Sequence, residues 1–179
     1  MVGAALLTGC SEKQEASETL PSSSAAETSE ALPEIGPADF PVPDEARTKD
    51  AAGAEAFLRH WVDLLNRQQA IPAGQPLREL GPDCRECLRI ARNFDDAAAA
   101  GWRYEGGELS LNDVTEPQFN GDEVSINFGA RVEPVTVRDS AGAPVPDGVG
   151  DLNPNAGSGV TLLWSEPEQG WLVAGMTIG

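Results

Sequence analysis

Cys84 and Cys87 are the two side chains whose types and spacing most directly suggest joint chemistry. They stand three apart in Gly81-Pro82-Asp83-Cys84-Arg85-Glu86-Cys87. Pro82 and Asp83 are helix start signals, and Cys84, Cys87, Leu88, Ala91, Phe94 and Ala98 recur at helical spacing until Gly101. A structural disulfide across the first helical turn is the favoured chemistry, with loop-closure entropy giving on the order of 2 kcal/mol for so short a loop. Two alternatives stay open. A redox-active pair would draw on the lowered thiol pKa of a helix N-terminus, although no βαβ unit precedes it. Half of a zinc site would need a second pair of ligands, and the chain has a single histidine, His60.

General acid or base chemistry has few candidates. His60 lies at the margin of a helical apolar stripe, which suits a hydrogen-bonded boundary histidine better than a base. Tyr104 opens a strand, and Trp61, Trp102 and Trp164 read as core or cavity lining. Asp95-Asp96 and the stretch Glu105 to Glu108 could supply a carboxylate, but in so acidic a chain most carboxylates are solvated. No nucleophile elbow, P-loop, H-E-x-x-H or dinucleotide fingerprint occurs. Asp151-Leu152-Asn153-Pro154-Asn155 imitates the start of a calcium loop, then fails: Ala156 stands where glycine is needed and Leu162 where the bidentate glutamate belongs. We expect no catalytic residue, no metal and no cofactor. The possible cavity lining is His60, Trp61, Trp102 and Tyr104.

The chain that must position these residues has 179 residues, with 12 Lys and Arg against 29 Asp and Glu, a formal net charge of −17. Such acidity excludes nucleic acid and other polyanions as partners. Between Ser11 and Asp50 lie ten acidic and three basic residues, together with many Ser, Thr, Ala and Pro and few large apolar side chains before Ile35, Phe40 and Val42. That composition predicts a disordered acidic tether, stiffened by Pro33, Pro37, Pro41 and Pro43. It is preceded by Met-Val-Gly-Ala-Ala-Leu-Leu-Thr-Gly-Cys, and Leu7-Thr8-Gly9-Cys10 resembles a bacterial lipobox. The resemblance implies that residues 1–9 are part of a signal peptide and that Cys10 carries a diacylglyceryl lipid. No basic residue precedes Lys13, so the usual charged start of such a signal is missing. The implied location is the extracytoplasmic face of a cell membrane, with acyl chains as the anchor.

The folded part begins with two amphipathic helices. Ala54, Phe57, Leu58, Trp61, Val62, Leu64 and Leu65 make one stripe, between a possible N-cap at Asp50 and a break at Ile71-Pro72-Ala73-Gly74. The Cys84 segment makes the other. After Gly101 the period becomes two: Leu109 and Leu111; Val124, Ile126, Phe128, Ala130 and Val132; Val160, Leu162 and Trp164; Leu172, Ala174, Met176 and Ile178. Asn120-Gly121 is a hairpin turn, Glu168-Gln169-Gly170 a second one, and Pro134 implies an edge or a bulge. Residues 139–158, rich in Gly, Pro, Asn and Asp, read as a long loop. Helices followed by an antiparallel sheet give an α+β domain over residues 51–179, with residues 10–50 as lipidated cysteine and tether.

A family resemblance rests on the lipobox, the acidic stretch, residues 53–66, Leu77-Arg78-Glu79-Leu80, the Cys84/Cys87 pair and Glu105-Gly106-Gly107. Together they resemble an uncharacterised family of actinobacterial lipoproteins. That family is similar to the nuclear-transport-factor-2-like (cystatin-like, SnoaL-like) α+β cone, in which N-terminal helices pack on a curved antiparallel sheet. The resemblance implies a fold and a location, and no chemistry, because cones serve both enzymes and binding modules. The expectation is a membrane-anchored, non-catalytic module for a small ligand or a cell-envelope protein, with a homodimer as one way to use the sheet. The alternative is a cone-fold isomerase or hydrolase working through a buried carboxylate or His60.

Overall fold

The structure, a computed structural model, describes residues 32–179. The expected signal segment, Cys10 and the first part of the expected tether lie outside the described residues. Within them, three helices precede eight strands. Helix α1 spans Ala51–Ala70, α2 Gln75–Leu80 and α3 Arg85–Ala100. Asp50 caps α1, its side chain accepting from Gly53 N at 2.8 Å. The helix ends at Ile71, before Pro72, whose ring disfavours helical backbone in the preceding residue. Helix α3 ends at Gly101, where φ is +67°. Its left-handed backbone needs a residue without Cβ and lets the chain turn into the sheet.

The strands form two groups. β1 (Arg103–Gly106) pairs with β5 (Val135–Arg138), which pairs with β6 (Pro144–Gly150). β2 (Leu109–Asn112) and β3 (Gln118–Asn120) both pair with β4 (Glu123–Val132), followed in order by β7 (Asn153–Ser165) and β8 (Gly170–Thr177). The two groups are joined by a single bent ribbon. Gly106 opposes Val135, and three residues on Leu109 opposes Val132, so the register is unbroken across the gap. The bend is made by Gly106 (φ +75°) and Gly107 (φ +88°) on one strand and Glu133-Pro134 on the other. Pro134 therefore marks a corner where the ribbon leaves the larger sheet, the reason it interrupts the strand pattern.

The class expected from the sequence, α+β with N-terminal helices on a curved antiparallel sheet, is the one observed. Phe57, Leu58, Trp61 and Leu64 of α1 and Leu77 and Leu80 of α2 are buried against Val124, Ile126, Leu162 and Val173 of the sheet. Asn66 ties helix to sheet: its side chain donates to Leu109 O and accepts from Leu109 N, both at 2.8 Å. Both expected turns are present, with Gly121 at φ +66° and Gln169 at φ +48°.

Two expectations are corrected. Residues 139–158 are not a loop. The turn is confined to Asp139–Ala143, where the Asp139 carboxylate accepts from Ala141 N and Ala143 N at 2.9 Å, and β6 and the start of β7 take up most of the rest. Backbone pairing, such as Ala156 with Ala130, satisfies these residues without the apolar alternation that a sequence reading detects.

The second correction concerns the tether, whose last part is structure. Residues 32–50 form a strap across the helices and the β7–β8 hairpin. Ile35, Val42 and Ala46 are buried in the core, and Phe40 stacks on His60 with ring centroids 4.8 Å apart. Arg47, in a 3-10 turn at Asp44–Arg47, is buried and donates to the carbonyls of Pro33 and Glu168 at 2.6 Å and of Gln169 at 3.1 Å. The few apolar residues of this acidic segment are those that dock. Residues 32–50 thus belong to the folded unit, because these contacts offset the ordering entropy that composition alone would leave unmatched.

Candidate functional site

The ribbon bend leaves a cleft of about 230 Å³ between α1, α3 and the corner of the sheet. Gln69 comes from the last turn of α1, Ile90 and Phe94 from α3, Tyr104 from β1, and Val132 and Val135 from the two sides of the bend, with Asn93 and Gly107 completing the lining. None of these eight residues is charged, although 23% of the chain is. Tyr104 meets Phe94 edge-on, centroids 5.6 Å apart, so an aromatic corner forms one wall.

Polar groups in this cleft are few and placed. Gln69 Nε2 donates to Gly107 O at 2.7 Å, while Gly107 N donates to Pro134 O at 3.0 Å. Both backbone groups of Gly107 are thus used in holding the bend. A Cβ at position 107 would stand 2.9 Å from Gln69 Oε1 and from Val135 Cγ2, and the residue's positive φ disfavours any side chain as well. Gln69 Oε1 and the Tyr104 hydroxyl make no hydrogen bond with the described residues. Burial pushes the Tyr104 phenol above its ordinary value, so it stays protonated at neutral pH and remains a donor.

Of the four residues expected to line a cavity, the structure brings only Tyr104 to the cleft. Trp61 is fully buried in the core, its Nε1 pointing at Met176 Sδ at 3.2 Å. Trp102 is partly exposed beyond the end of α3, where Gly101 has already turned the chain away. His60 is buried under the strap against Phe40, with Nε2 left without a partner among the described residues. Burial lowers the pKa of His60 below its ordinary value, and the charge of Asp63 opposes that only in part. Its Nε2 is held under the strap and lies outside the cleft, which does not suit a general base.

Of the carboxylates considered as acids, Asp95 and Glu105 are engaged elsewhere, and none of the four lines the cleft. Asp95 accepts from Gly74 N at 2.7 Å and from Arg78 at 2.6 Å, which holds its carboxyl below the usual range and fastens α2 to α3. Glu105 accepts from Arg138 at 2.6 Å. The cysteine sulfurs of Cys84 and Cys87 stand at disulfide distance with Cα atoms 5.2 Å apart, both residues buried at the start of the helix that carries Ile90 and Phe94.

Gln69, Val132, Val135 and Gly107 were absent from the sequence expectation. The signal that could have found them is the pair Gly106-Gly107 facing an X-Pro step in a paired strand, which marks a corner and hence a hollow on its inner side. A larger hollow of about 370 Å³ lies between the strap, α2 and the β7–β8 hairpin. Its rim carries Glu34, Glu79 and Glu168 around Ile35, Leu80 and Leu172, and its carboxylates have no convergent acceptor geometry beyond repelling anions.

No protein-family model and no curated protein matches the chain. Among solved structures, the intermembrane space region of chloroplast protein ARC6 is 18% identical, with a TM-score of 0.51 over 73% of this chain and 97% of that one. A five-substitution variant of a protein named Rd1NTF2_05 is 10% identical, with a TM-score of 0.43 over 70% of this chain and 99% of that one. The second likeness carries no weight, and the first is one of fold, which leaves the chemistry of the cleft to its own residues.

Proposed function

We propose that this chain is a membrane-anchored lipoprotein of the extracytoplasmic face, of the actinobacterial family it resembles, whose cone domain binds a small ligand without catalysis. The anchor is the expected lipid on Cys10, and the binding site is the cleft at the ribbon bend. The observation that carries the ligand reading is a lining with no charged side chain that keeps polar atoms, Gln69 Oε1, the Tyr104 hydroxyl and the Asn93 amide, free of partners among the described residues. Catalysis has less support, since His60 and Asp95 are engaged or isolated away from the cleft. An envelope protein as occupant of the sheet face also has less support. The hollow of about 400 Å³ on that face is lined by Ser125, Asn127, Thr161 and Thr177 together with Val160 and Met176, a mixed surface rather than a continuous apolar patch.

The test uses the full chain, purified from membranes and examined by native mass spectrometry. A small molecule retained by the wild type and lost in Ile90→Trp, which fills the cleft, is the expected result. Equal retention by both proteins would exclude the cleft. In the same preparation Cys10→Ala should move the protein out of the membrane fraction, and its remaining there would remove the anchor.

A further inference from the structure

The same cleft carries information about what it takes, and this step rests on its being the binding site. We infer that it selects a compact, uncharged ligand with an apolar, ring-sized body and one hydroxyl or amide N–H, the donor directed at Gln69 Oε1 and the same group within the field of the Tyr104 hydroxyl.

Charge is excluded by the walls. An ion entering a lining of Ile90, Phe94, Val132 and Val135 would lose its hydration with no counter-charge to replace it, a loss of several kcal/mol even after relaxation. Size follows from the volume. About 230 Å³ is below the usual range for ligand pockets, roughly 300 to 1,000 Å³, and above the roughly 150 Å³ that holds benzene in an engineered apolar cavity of another protein. One ring with a small substituent fits those limits. Shape is set by the edge-on pair of Phe94 and Tyr104, which offers an aromatic corner to a flat partner.

The donor requirement follows from which atom Gln69 leaves over. The orientation of a glutamine amide is settled by its partner, and Gly107 O can only accept, so the amide nitrogen must face it and Oε1 must be the free atom. That oxygen packs against Gly107, where a Cβ would displace it, so the glycine keeps Oε1 in place at the cleft wall. A ligand that brings a donor restores a hydrogen bond that water otherwise supplies, and one without a donor leaves Oε1 dry and unpaired.

The test is a set of ring compounds of matched shape given to the full chain: p-cresol, toluene, 4-methylbenzoate and 4-methylbenzylamine. Binding is read from the ring and methyl resonances of Tyr104, Phe94 and Val135. We expect p-cresol to bind about tenfold more tightly than toluene, the worth of one hydrogen bond of about 1.4 kcal/mol, and both ions to bind at least tenfold more weakly than toluene. Gln69→Leu should erase the preference for p-cresol, and Tyr104→Phe, which disturbs no bond holding the bend, should reduce it. If either ion binds as well as p-cresol, if toluene equals p-cresol, or if both variants keep the preference, the ligand class is wrong while the cleft stands as a site. If no compound moves the cleft resonances, the site itself falls, and this inference with it.

Discussion

The strap and the cleft treat polar groups in opposite ways. Along the strap, cations do the fastening: Arg47 on three carbonyls, Lys49 on Asp122 and Glu166 at 2.9 Å, and Arg67 on Asp39. None of the residues lining the cleft is charged, and the hydrogen-bonding groups there with capacity to spare, on Gln69, Asn93 and Tyr104, are neutral. A segment that must stay docked uses charge-assisted bonds, each stronger than a neutral one. A surface that must exchange an occupant keeps neutral groups that water can serve in the meantime. The difference assigns stability to the first region and recognition to the second.

The largest test of that assignment is to remove the strap. A chain starting at Ala51 should be less stable than one starting at Leu32 by on the order of 5 kcal/mol, from the lost burial of Ile35 and Val42 and the lost bonds of Arg47, as read by chemical denaturation. Equal stability would mean that the strap is ornament. Next, Arg47→Leu should cost about 3 kcal/mol, because it strips donors from three carbonyls at once. Arg47→Lys should recover little, since an ammonium lacks the planar fork that reaches them.

On the other side, Gly107→Ala should cost about 2 kcal/mol through its positive φ and its contact with Val135, while abolishing occupancy of the cleft. Full ligand binding in that variant would break the link between the bend and the site.

The smallest effect is in pH. His60 has its folded pKa lowered from an unfolded value of 6.5. The neutral form suits the fold, so its contribution is intact above pH 6.5 and is lost as pH falls through the folded pKa, when the unfolded chain takes up the proton first. A modest decline in melting temperature below pH 6.5 is expected, ahead of the acid range where carboxylates with lowered pKa values, such as Asp39, Asp50 and Asp95, become protonated. His60→Leu should flatten that first limb and leave the second. An unchanged profile would show that Phe40 lifts away readily and that the strap is looser than its contacts imply.

Much of the fold was readable because its signals are local. Asp50 as cap, the stripe Phe57 to Leu65, Gly101 as stop, and Asn120-Gly121 as turn each depend on neighbours within a few residues. The strap and β6 were not readable because their order depends on partners far along the chain. Ile35 and Val42 are too sparse to show a period, and the glycines of β6 are held by β5 rather than by their own side chains. For the site, Tyr104 was legible as an aromatic at the start of a strand. His60 and Trp61 misled because a helix face says what is buried without saying whether it faces a cavity or a packed core. Gln69, Val132 and Val135 come together only through the corner at Gly106-Gly107 and Pro134.

Arg47 has a consequence in time. Its partners Glu168 and Gln169 lie 121 and 122 residues further along the chain. A growing polypeptide presents its N-terminal part first and its last hairpin only at the end of synthesis or export. Until then the guanidinium can reach only Pro33 O, and Ile35 has no Gly170 to pack beside. The full set of Arg47 bonds therefore forms only after the β7–β8 hairpin has been made. A protease acting on residues 32–50 would distinguish molecules that have formed the hairpin from those that have not.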